Sequence, residues 1–261
     1  MKTVRKRNRS KSLKRTSPFK RIPPTFHFYD DLRHNFEGIT LSKDNTIADM
    51  MCTGNIICHK VKGTYDQDVY TPKEVQSHLR RYMARMSNPV MRRYMAYIHQ
   101  YWSTRDRFKP DELLPYFAVD VGLNDHDINE MSSPTLRNAI VGFDMDLTLH
   151  QFGYFTPMPL NKLTAMISDL MGTKITNDDI GELYFGGRER FAKCKAMFQN
   201  LAKTIGMKNV YVITSNPSHM LDEILPDMYS KLFHVRFVKG NVKATKQLGQ
   251  SKYEIIRDIM A

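Results

Sequence analysis

The sequence predicts an α/β fold built around a parallel β-sheet, and three neighbouring segments indicate it. Ala139–Phe143 is a short run of apolar and small residues without alternation, typical of a strand that is covered on both faces. Residues 188–205 have the apolar period of a helix, and residues 209–213 form a second apolar run. Strand, helix and strand in this order predict the right-handed crossover unit of parallel sheets.

The N-terminus is strongly basic, whereas the remainder of the chain is nearly neutral. Residues 1–21 hold ten Lys or Arg and no acidic residue, which leaves 29 basic and 27 acidic residues elsewhere. A segment this charged and this poor in apolar residues is predicted to be disordered when free. Such arms bind nucleic-acid backbones or act as nuclear localisation signals, and a solubilising tail is the alternative. Without a run of eighteen apolar residues or an apolar leader, we expect an intracellular protein.

The region between the arm and the first predicted strand has helical signals. Thr71 and Glu74 have the spacing of a capping box around a proline, which predicts a helix that begins at residue 72. Pro89 begins a second predicted helix. Residues 73–109 hold nine Lys or Arg and two acidic residues. These helices are therefore expected to pack on the catalytic domain with one face, and their basic face is a candidate surface for nucleic acid.

We expect three parts in the chain: a disordered basic arm at residues 1–25, a mainly helical region at residues 26–135 and a catalytic α/β domain at residues 136–261. Residues 23–63 mix aromatic and turn residues and allow no assignment. The other predicted elements of the catalytic domain are helices at residues 160–171, 177–185 and 218–231, a third strand at residues 232–238, a loop at 240–249 and a short helix that begins near Ser251.

Two carboxylates follow the first predicted strand. Asp144 and Asp146 are two positions apart, so on an extended chain they project to the same side. Close carboxylates in a buried position need a cation or a shared proton, and Mg²⁺ prefers oxygen ligands of this kind. One carboxylate could then attack an electrophile while the other transfers protons. The alternative is that both acids only cap a turn after the strand.

In residues 139–261, the order of polar residues resembles the order of the conserved motifs in the haloacid dehalogenase (HAD) superfamily of phosphatases. The segment from Asp144 to Thr148 has the D-x-D-x-T pattern, Thr214 ends the next strand, and Lys252 begins a later helix. The resemblance implies a HAD-like Rossmannoid parallel sheet with a minimal cap, because fewer than forty residues separate Leu149 from Arg188. A small cap leaves the site open to a polymeric substrate.

The resemblance also implies roles for individual residues. Asp144 corresponds to the nucleophile that forms an aspartyl-phosphate and binds Mg²⁺. Asp146 corresponds to the general acid and base, with its backbone carbonyl on the metal, and Thr148 supports the loop. The phosphate-binding positions are Met145, Thr214, Ser215 and Lys252, with Lys239 as the alternative lysine.

One part of the family pattern is missing at the expected place. HAD phosphatases usually carry a fourth motif, a strand that ends in paired acids and completes the Mg²⁺ site, after the lysine helix. This sequence ends before such a motif. The metal site is then incomplete, supplied from elsewhere or cut off by truncation, and four earlier acids are candidates to substitute: Asp120, Asp125, Asp127 and Asp222.

The arrangement of a basic leader, a helical region and a minimal core resembles the phosphatase-like nucleocapsid-assembly proteins of baculoviruses and related large DNA insect viruses. This resemblance implies a Mg²⁺-dependent phosphatase of a phosphoprotein, such as a basic DNA-condensing core protein, in the host nucleus and the virion nucleocapsid. Two alternatives stay open. One is a non-catalytic DNA- or nucleocapsid-binding protein on a HAD scaffold, and the other is a nucleic-acid end phosphatase whose arm holds the substrate backbone.

Overall fold

The computed structural model describes residues 24–31, 55–63, 71–104, 122–131, 134–153, 157–218 and 220–261. Within these ranges, five parallel strands form one sheet in the order β2-β1-β3-β4-β5. The strands are β1 (Thr25–Asp30), β2 (Ile56–Lys60), β3 (Ala139–Phe143), β4 (Val210–Thr214) and β5 (Val242–Ala244). The predicted α/β class with a parallel sheet is confirmed, and most of the basic arm lies outside the described residues.

Nine α-helices lie in the described ranges. Several begin where the sequence predicts: Thr71 and Glu74 form both hydrogen bonds of the capping box at the first helix. The helices are α1 (Pro72–Ala84), α2 (Pro89–Ser103), α3 (Asp125–Glu130), α4 (Leu160–Met171), α5 (Asn177–Phe185), α6 (Arg188–Thr204), α7 (Leu221–Phe233), α8 (Thr245–Leu248) and α9 (Lys252–Met260). None of the described helices has the length and apolar character needed to cross a membrane.

The two faces of the sheet are covered unequally. Val141 and Phe143 of β3 point into the larger core, which also contains buried residues of α1 to α7. On the opposite face, Phe26 and Phe28 of β1 pack in a smaller core with α9. Gly142 lies on this second face, where a Cβ atom would come within 2.8 Å of the Phe26 ring. The alternation along β1 and β3 thus positions α9 against the sheet.

The sheet crosses the predicted domain boundary at residues 135 and 136. Strands β1 and β2 both precede that boundary, and β1 pairs directly with β3. The described part of residues 26–135 therefore contributes two strands to the sheet of residues 136–261, and a strand pairing between such distant segments leaves no periodic signal within either one. The expectation that the helical pair packs on the catalytic domain is confirmed: Tyr82 of α1 donates a 2.6 Å hydrogen bond to the carbonyl of Leu183.

The prediction of a third strand at residues 232–238 is wrong. Helix α7 continues to Phe233, and the strand at this edge of the sheet is Val242–Ala244, inside the segment predicted as a loop. Leu232, Phe233 and Phe237 are buried in the larger core, so their apolar run reflects the end of a buried helix. A short apolar run cannot distinguish a strand from a buried helical segment by periodicity alone.

Candidate metal and phosphoryl-transfer site

The register of the sheet brings Asp30 next to Asp144. Tyr29 pairs with Phe143, and the backbone N–H of Asp144 donates a 2.8 Å hydrogen bond to the carbonyl of Tyr29. Both strands are parallel, so the acids that follow them lie at the same edge. Asp31 continues from Asp30 at this edge, and the three acids come from two distant parts of the chain.

Asp30, Asp31 and Asp144 form a buried acidic cluster. One carboxylate oxygen from each residue lies within 4.8 Å of the other two, and among the described residues no other group of His, Cys, Asp or Glu has such an arrangement. The three residues are at most 5% exposed. The hydroxyl of Thr148 donates to Oδ1 of Asp31 at 3.4 Å and so joins the loop after β3 to the cluster. The cluster can hold a metal ion.

Lys252 is the counter-ion of this cluster. Its Nζ atom lies 2.6 Å from Oδ2 of Asp30 and 2.9 Å from Oδ1 of Asp144. Ser251 caps α9 and places Lys252 at the first helical position, where its side chain is 4% exposed. Burial acts to lower the pKa of Lys252, but the charges of Asp144 and Asp30 outweigh it, so the pKa is raised and the ammonium group stays protonated.

Among the described residues, Lys252 alone does not neutralise three ionised carboxylates, so the cluster needs a further cation or bound protons. Burial raises the pKa of Asp144 well above its usual range, although the ammonium of Lys252 opposes this effect. Burial and the neighbouring Asp30 raise the pKa of Asp31 to about 7. Three carboxylates face one ammonium group, and buried carboxylates are costly unless a cation neutralises them. Oxygen ligands at this spacing suit a hard divalent ion.

Asp146 lies in a different environment from the cluster. Its Oδ2 atom accepts a 2.9 Å hydrogen bond from the side-chain amide of Asn216, whereas Oδ1 is enclosed and has no donor among the described residues. Burial raises the pKa of Asp146 to about 6, and the hydrogen bond from Asn216 partly opposes this. Leu147 follows in the left-handed region with a φ of 61°, which turns the chain sharply after the carboxylate.

The other predicted phosphate-binding residues lie at the same end of the sheet or near it. Thr214 is buried at the end of β4, and its Oγ1 accepts a 3.0 Å hydrogen bond from the backbone N–H of Asn216. Ser215 follows and is exposed. The side chain of Met145 is buried between Asp144 and Asp146, so only its backbone could contact a ligand. Lys239 is exposed in the loop after α7 and takes no part in the acidic cluster.

The earlier acids proposed as substitutes for the fourth motif do not join the cluster. Asp125 pairs with Lys193 at 2.8 Å, Asp127 caps the start of α3, and Asp222 lies in the first turn of α7. Asp120 lies outside the described residues. Asp30 and Asp31, an acid pair at the end of β1, join Asp144 instead.

Sequence reasoning missed Asp30 and Asp31, together with the contact of Asn216. A signal for the acid pair was present, because the run from Phe26 to Tyr29 ends in two carboxylates, much as β3 does. His27 interrupts the apolar run, which weakens the signal of a buried strand. The pair also lies before the D-x-D-x-T segment, whereas the family pattern led us to look for an acid pair after Lys252. Comparisons with protein-family models, with curated proteins and with solved structures found no match for this chain.

Proposed function

We propose that this protein is a Mg²⁺-dependent phosphatase that uses Asp144 as its nucleophile and acts on a phosphoprotein. The observation that carries the proposal is the buried cluster of Asp30, Asp31 and Asp144 with Lys252 in contact with two of the three carboxylates. Asp30 and Asp31 would then be the strand-terminal pair that HAD phosphatases carry in their fourth motif, placed here ahead of the nucleophile in the chain.

The residues have complementary roles in the proposed reaction. A carboxylate oxygen of Asp144 forms a bond to phosphorus while the bond from phosphorus to the leaving oxygen breaks, and Asp146 gives its proton to that oxygen. With a pKa near 6, Asp146 is suited to both giving and accepting a proton close to neutral pH. It next takes a proton from water, whose oxygen attacks phosphorus and releases inorganic phosphate and Asp144.

The phosphoryl group carries negative charge during transfer, and positive groups in the site are needed to stabilise it. Lys252 provides a fixed ammonium group within 2.9 Å of Asp144, and Thr214 provides a hydroxyl from the neighbouring strand. Mg²⁺, held by Asp30, Asp31 and Asp144, would supply the remaining positive charge toward the phosphoryl oxygens. Asp146 would contribute to the metal only through its backbone carbonyl, since its side chain contacts Asn216.

The test is turnover of a generic phosphate monoester with Mg²⁺ by the wild-type protein and by Asp144→Asn and Asp146→Asn. We expect both variants to lose at least about a hundredfold in kcat, as for removal of a nucleophile or a proton-transfer group. Asp169→Asn is a matched control, because Asp169 is exposed on α4. Equal turnover in all four proteins would refute the proposal that this protein is an enzyme. The alternative of a non-catalytic binding protein on this scaffold would then be favoured.

The substrate is proposed from the resemblance to nucleocapsid-assembly phosphatases, with a basic core protein as one candidate in the host nucleus and nucleocapsid. A phosphopeptide and a 5′- or 3′-phosphorylated oligonucleotide should therefore be compared. A higher kcat/KM for the oligonucleotide would favour the nucleic-acid end phosphatase instead.

A separate experiment tests the basic arm. Deletion of residues 1–21 should weaken DNA binding and flatten its salt dependence, and an unchanged salt slope would exclude the arm as the DNA contact.

A further inference from the structure

Helices α1 and α2 pack against each other and are fixed to the rest of the protein by one side. Tyr82 and Met95 are buried on that side, and the hydroxyl of Tyr82 donates to the carbonyl of Leu183. The turn between the helices is held by Glu182, whose carboxylate accepts hydrogen bonds of 2.7 and 2.6 Å from the backbone N–H and the hydroxyl of Ser87. The other side of the helical pair faces solvent in a fixed orientation.

The solvent side of the pair carries positive charge. From the start of α1 to the end of α2 there are six Lys or Arg and one acidic residue, Glu74. The Glu74 carboxylate accepts hydrogen bonds of 2.7 and 2.8 Å from the backbone N–H and the hydroxyl of Thr71, so it serves the cap of α1. Lys73, Arg80 and Arg93 are exposed, and none of them forms a hydrogen bond or an ion pair with another described residue. These three cations can contact an external anion.

A contact between side chains joins the exposed sides of the two helices. Nε2 of Gln76 on α1 lies 3.4 Å from Nε2 of His99 on α2. Lys73 and Arg80 lie three and four positions from Gln76, so they share its side of α1. Arg92 lies two helical turns before His99, and a backbone carbonyl of the turn between the helices holds its guanidinium group. The cations of α1 and α2 therefore border the same exposed seam.

Two tyrosines extend this surface along α2. Tyr97 and Tyr101 are 48% and 42% exposed, whereas Tyr82 and Tyr94 of the same helical pair are buried. The exposed rings stack on each other, with centroids 6.3 Å apart and 20° between the ring planes. Both tyrosines follow Arg93 at a spacing of four residues, so the three side chains share one side of α2. An exposed aromatic pair thus lies next to a cation that is available to an anion.

We call this surface the hairpin face, and it comprises Lys73, Arg80, Arg92, Arg93, Tyr97 and Tyr101. We propose that the hairpin face binds single-stranded nucleic acid, with phosphates along the cations and bases stacked on the tyrosine pair. Proteins that bind single strands combine positive charge with exposed aromatic rings in this way. The binding is a further function of the protein and does not require the phosphatase activity proposed above.

The tyrosine pair favours a single strand over other polyanions. In a duplex the bases are stacked within the helix, whereas the unstacked bases of a single strand can lie on an exposed ring. An acidic peptide would neutralise the cations but would present no planar group to Tyr97 and Tyr101. The combination of charge and exposed rings therefore distinguishes single strands from duplexes and from acidic proteins.

The first experiment measures binding of a fluorescent single-stranded oligonucleotide without a terminal phosphate to the full chain across a salt series. In the Arg80→Ala, Arg93→Ala double variant, the slope of log K against log salt should become shallower by about 1.4, since each phosphate contact on a single strand contributes about 0.7. The basic arm is present in every protein, so its contribution to the slope cancels in the comparison. The double variant Lys203→Ala, Lys246→Ala changes two exposed lysines elsewhere and should keep the wild-type slope. An unchanged slope in the arginine variant would overturn the inference.

The second experiment tests the tyrosine pair with the same oligonucleotide. Tyr97→Ala should bind it about tenfold more weakly, with an unchanged salt slope, because the substitution removes a stacking ring and no charge. Tyr97→Phe keeps the ring and should bind as the wild type does. Leu170→Ala changes an exposed apolar residue on α4 and serves as the control.

Two further ligands separate the possible partners. In Tyr97→Ala, the affinity for a duplex of the same length and for polyglutamate should stay at the wild-type value. An equal loss for the duplex would overturn the assignment to single strands, and an equal loss for polyglutamate would overturn the assignment to nucleic acid. Because these experiments measure binding alone, their outcome is independent of whether a phosphomonoester is hydrolysed.

Discussion

Asp30 and Lys252 are 222 positions apart in the chain, and Nζ of Lys252 lies 2.6 Å from Oδ2 of Asp30 in the protein interior. The same ammonium group reaches Asp144 on the neighbouring strand at 2.9 Å. An N-terminal strand, a central strand and the last helix therefore contribute charged groups to one cluster. Folding and the proposed chemistry therefore share these two ion pairs.

Replacing Lys252 by Met should destabilise the metal-free protein by about 3–5 kcal/mol, because Asp30 and Asp144 would stay buried beside each other without a counter-ion. Urea unfolding at pH 8 measures the effect. Lys252→Arg keeps the positive charge and should lose less stability than Lys252→Met. Lys203→Met, which changes an exposed lysine, serves as the matched control. An unfolding midpoint for Lys252→Met equal to that of the wild type would contradict a structural role for this ion pair.

Mg²⁺ should raise the thermal midpoint of the wild-type protein, because an ion that binds only the folded cluster stabilises it by about 2.7 kcal/mol at a hundred times its Kd. Asp31→Asn should remove most of this gain, since it removes one of the three carboxylates. Asp169→Asn should keep the gain in full. The measurement is a thermal melt across a Mg²⁺ titration. A gain of the same size in Asp31→Asn would mean that the metal binds elsewhere.

His150 should make the protein less stable in mild acid. It is fully buried against Tyr184, and its Nε2 lies 2.8 Å from the hydroxyl of Tyr229. Burial, helped by the charge of Arg190, lowers its pKa from 6.5 to about 3. Between these two values the unfolded state binds a proton that the folded state does not, so stability falls as the pH falls. From pH 7 to pH 5 the contribution of His150 alone should fall by about 2 kcal/mol, while the raised pKa values of Asp31 and Asp146 act in the opposite direction.

The test for this effect is the difference in unfolding free energy between pH 7 and pH 5. On going from pH 7 to pH 5, the unfolding free energy of His150→Gln should change by about 2 kcal/mol in the stabilising direction relative to the change in the wild type, even though the substitution lowers stability at both pH values. His126→Gln changes an exposed histidine and should retain the wild-type difference. If the two variants respond equally to pH, His150 is not the group responsible.

The fragment 136–261 should not fold, although it contains every residue of the D-x-D-x-T segment and Lys252. The fragment lacks β1, which forms backbone hydrogen bonds along one edge of β3. It also leaves Lys252 without its ion pair to Asp30. The fragment 22–261 retains both and should unfold cooperatively. Circular dichroism with urea compares the two fragments. A cooperative transition in 136–261 would show that the predicted domain boundary is a real one.

Local signals were the most reliable guide to this chain. The start of α1 followed from Thr71 and Glu74, whose hydrogen bonds involve only residues three positions apart. Strands β3 and β4 followed from their unbroken apolar runs. Asp144 and Lys252, which the sequence placed in one candidate site, form an ion pair at 2.9 Å. The end of α7 was misassigned, because the apolar residues there suit a helix end as well as a strand.

The sequence by itself determined a parallel α/β domain, the acids after β3 and the basic character of the N-terminus, since each depends on neighbouring residues or on composition. Only the tertiary structure decided that Asp30 and Asp31 join Asp144. That juxtaposition depends on β1 pairing with β3 across more than a hundred positions, and such a pairing is selected by hydrogen-bond register and by the packing of Phe26 and Phe28 against α9. An acid pair at the end of β1 therefore lies beside Asp144, although β1 and β3 are far apart in the chain.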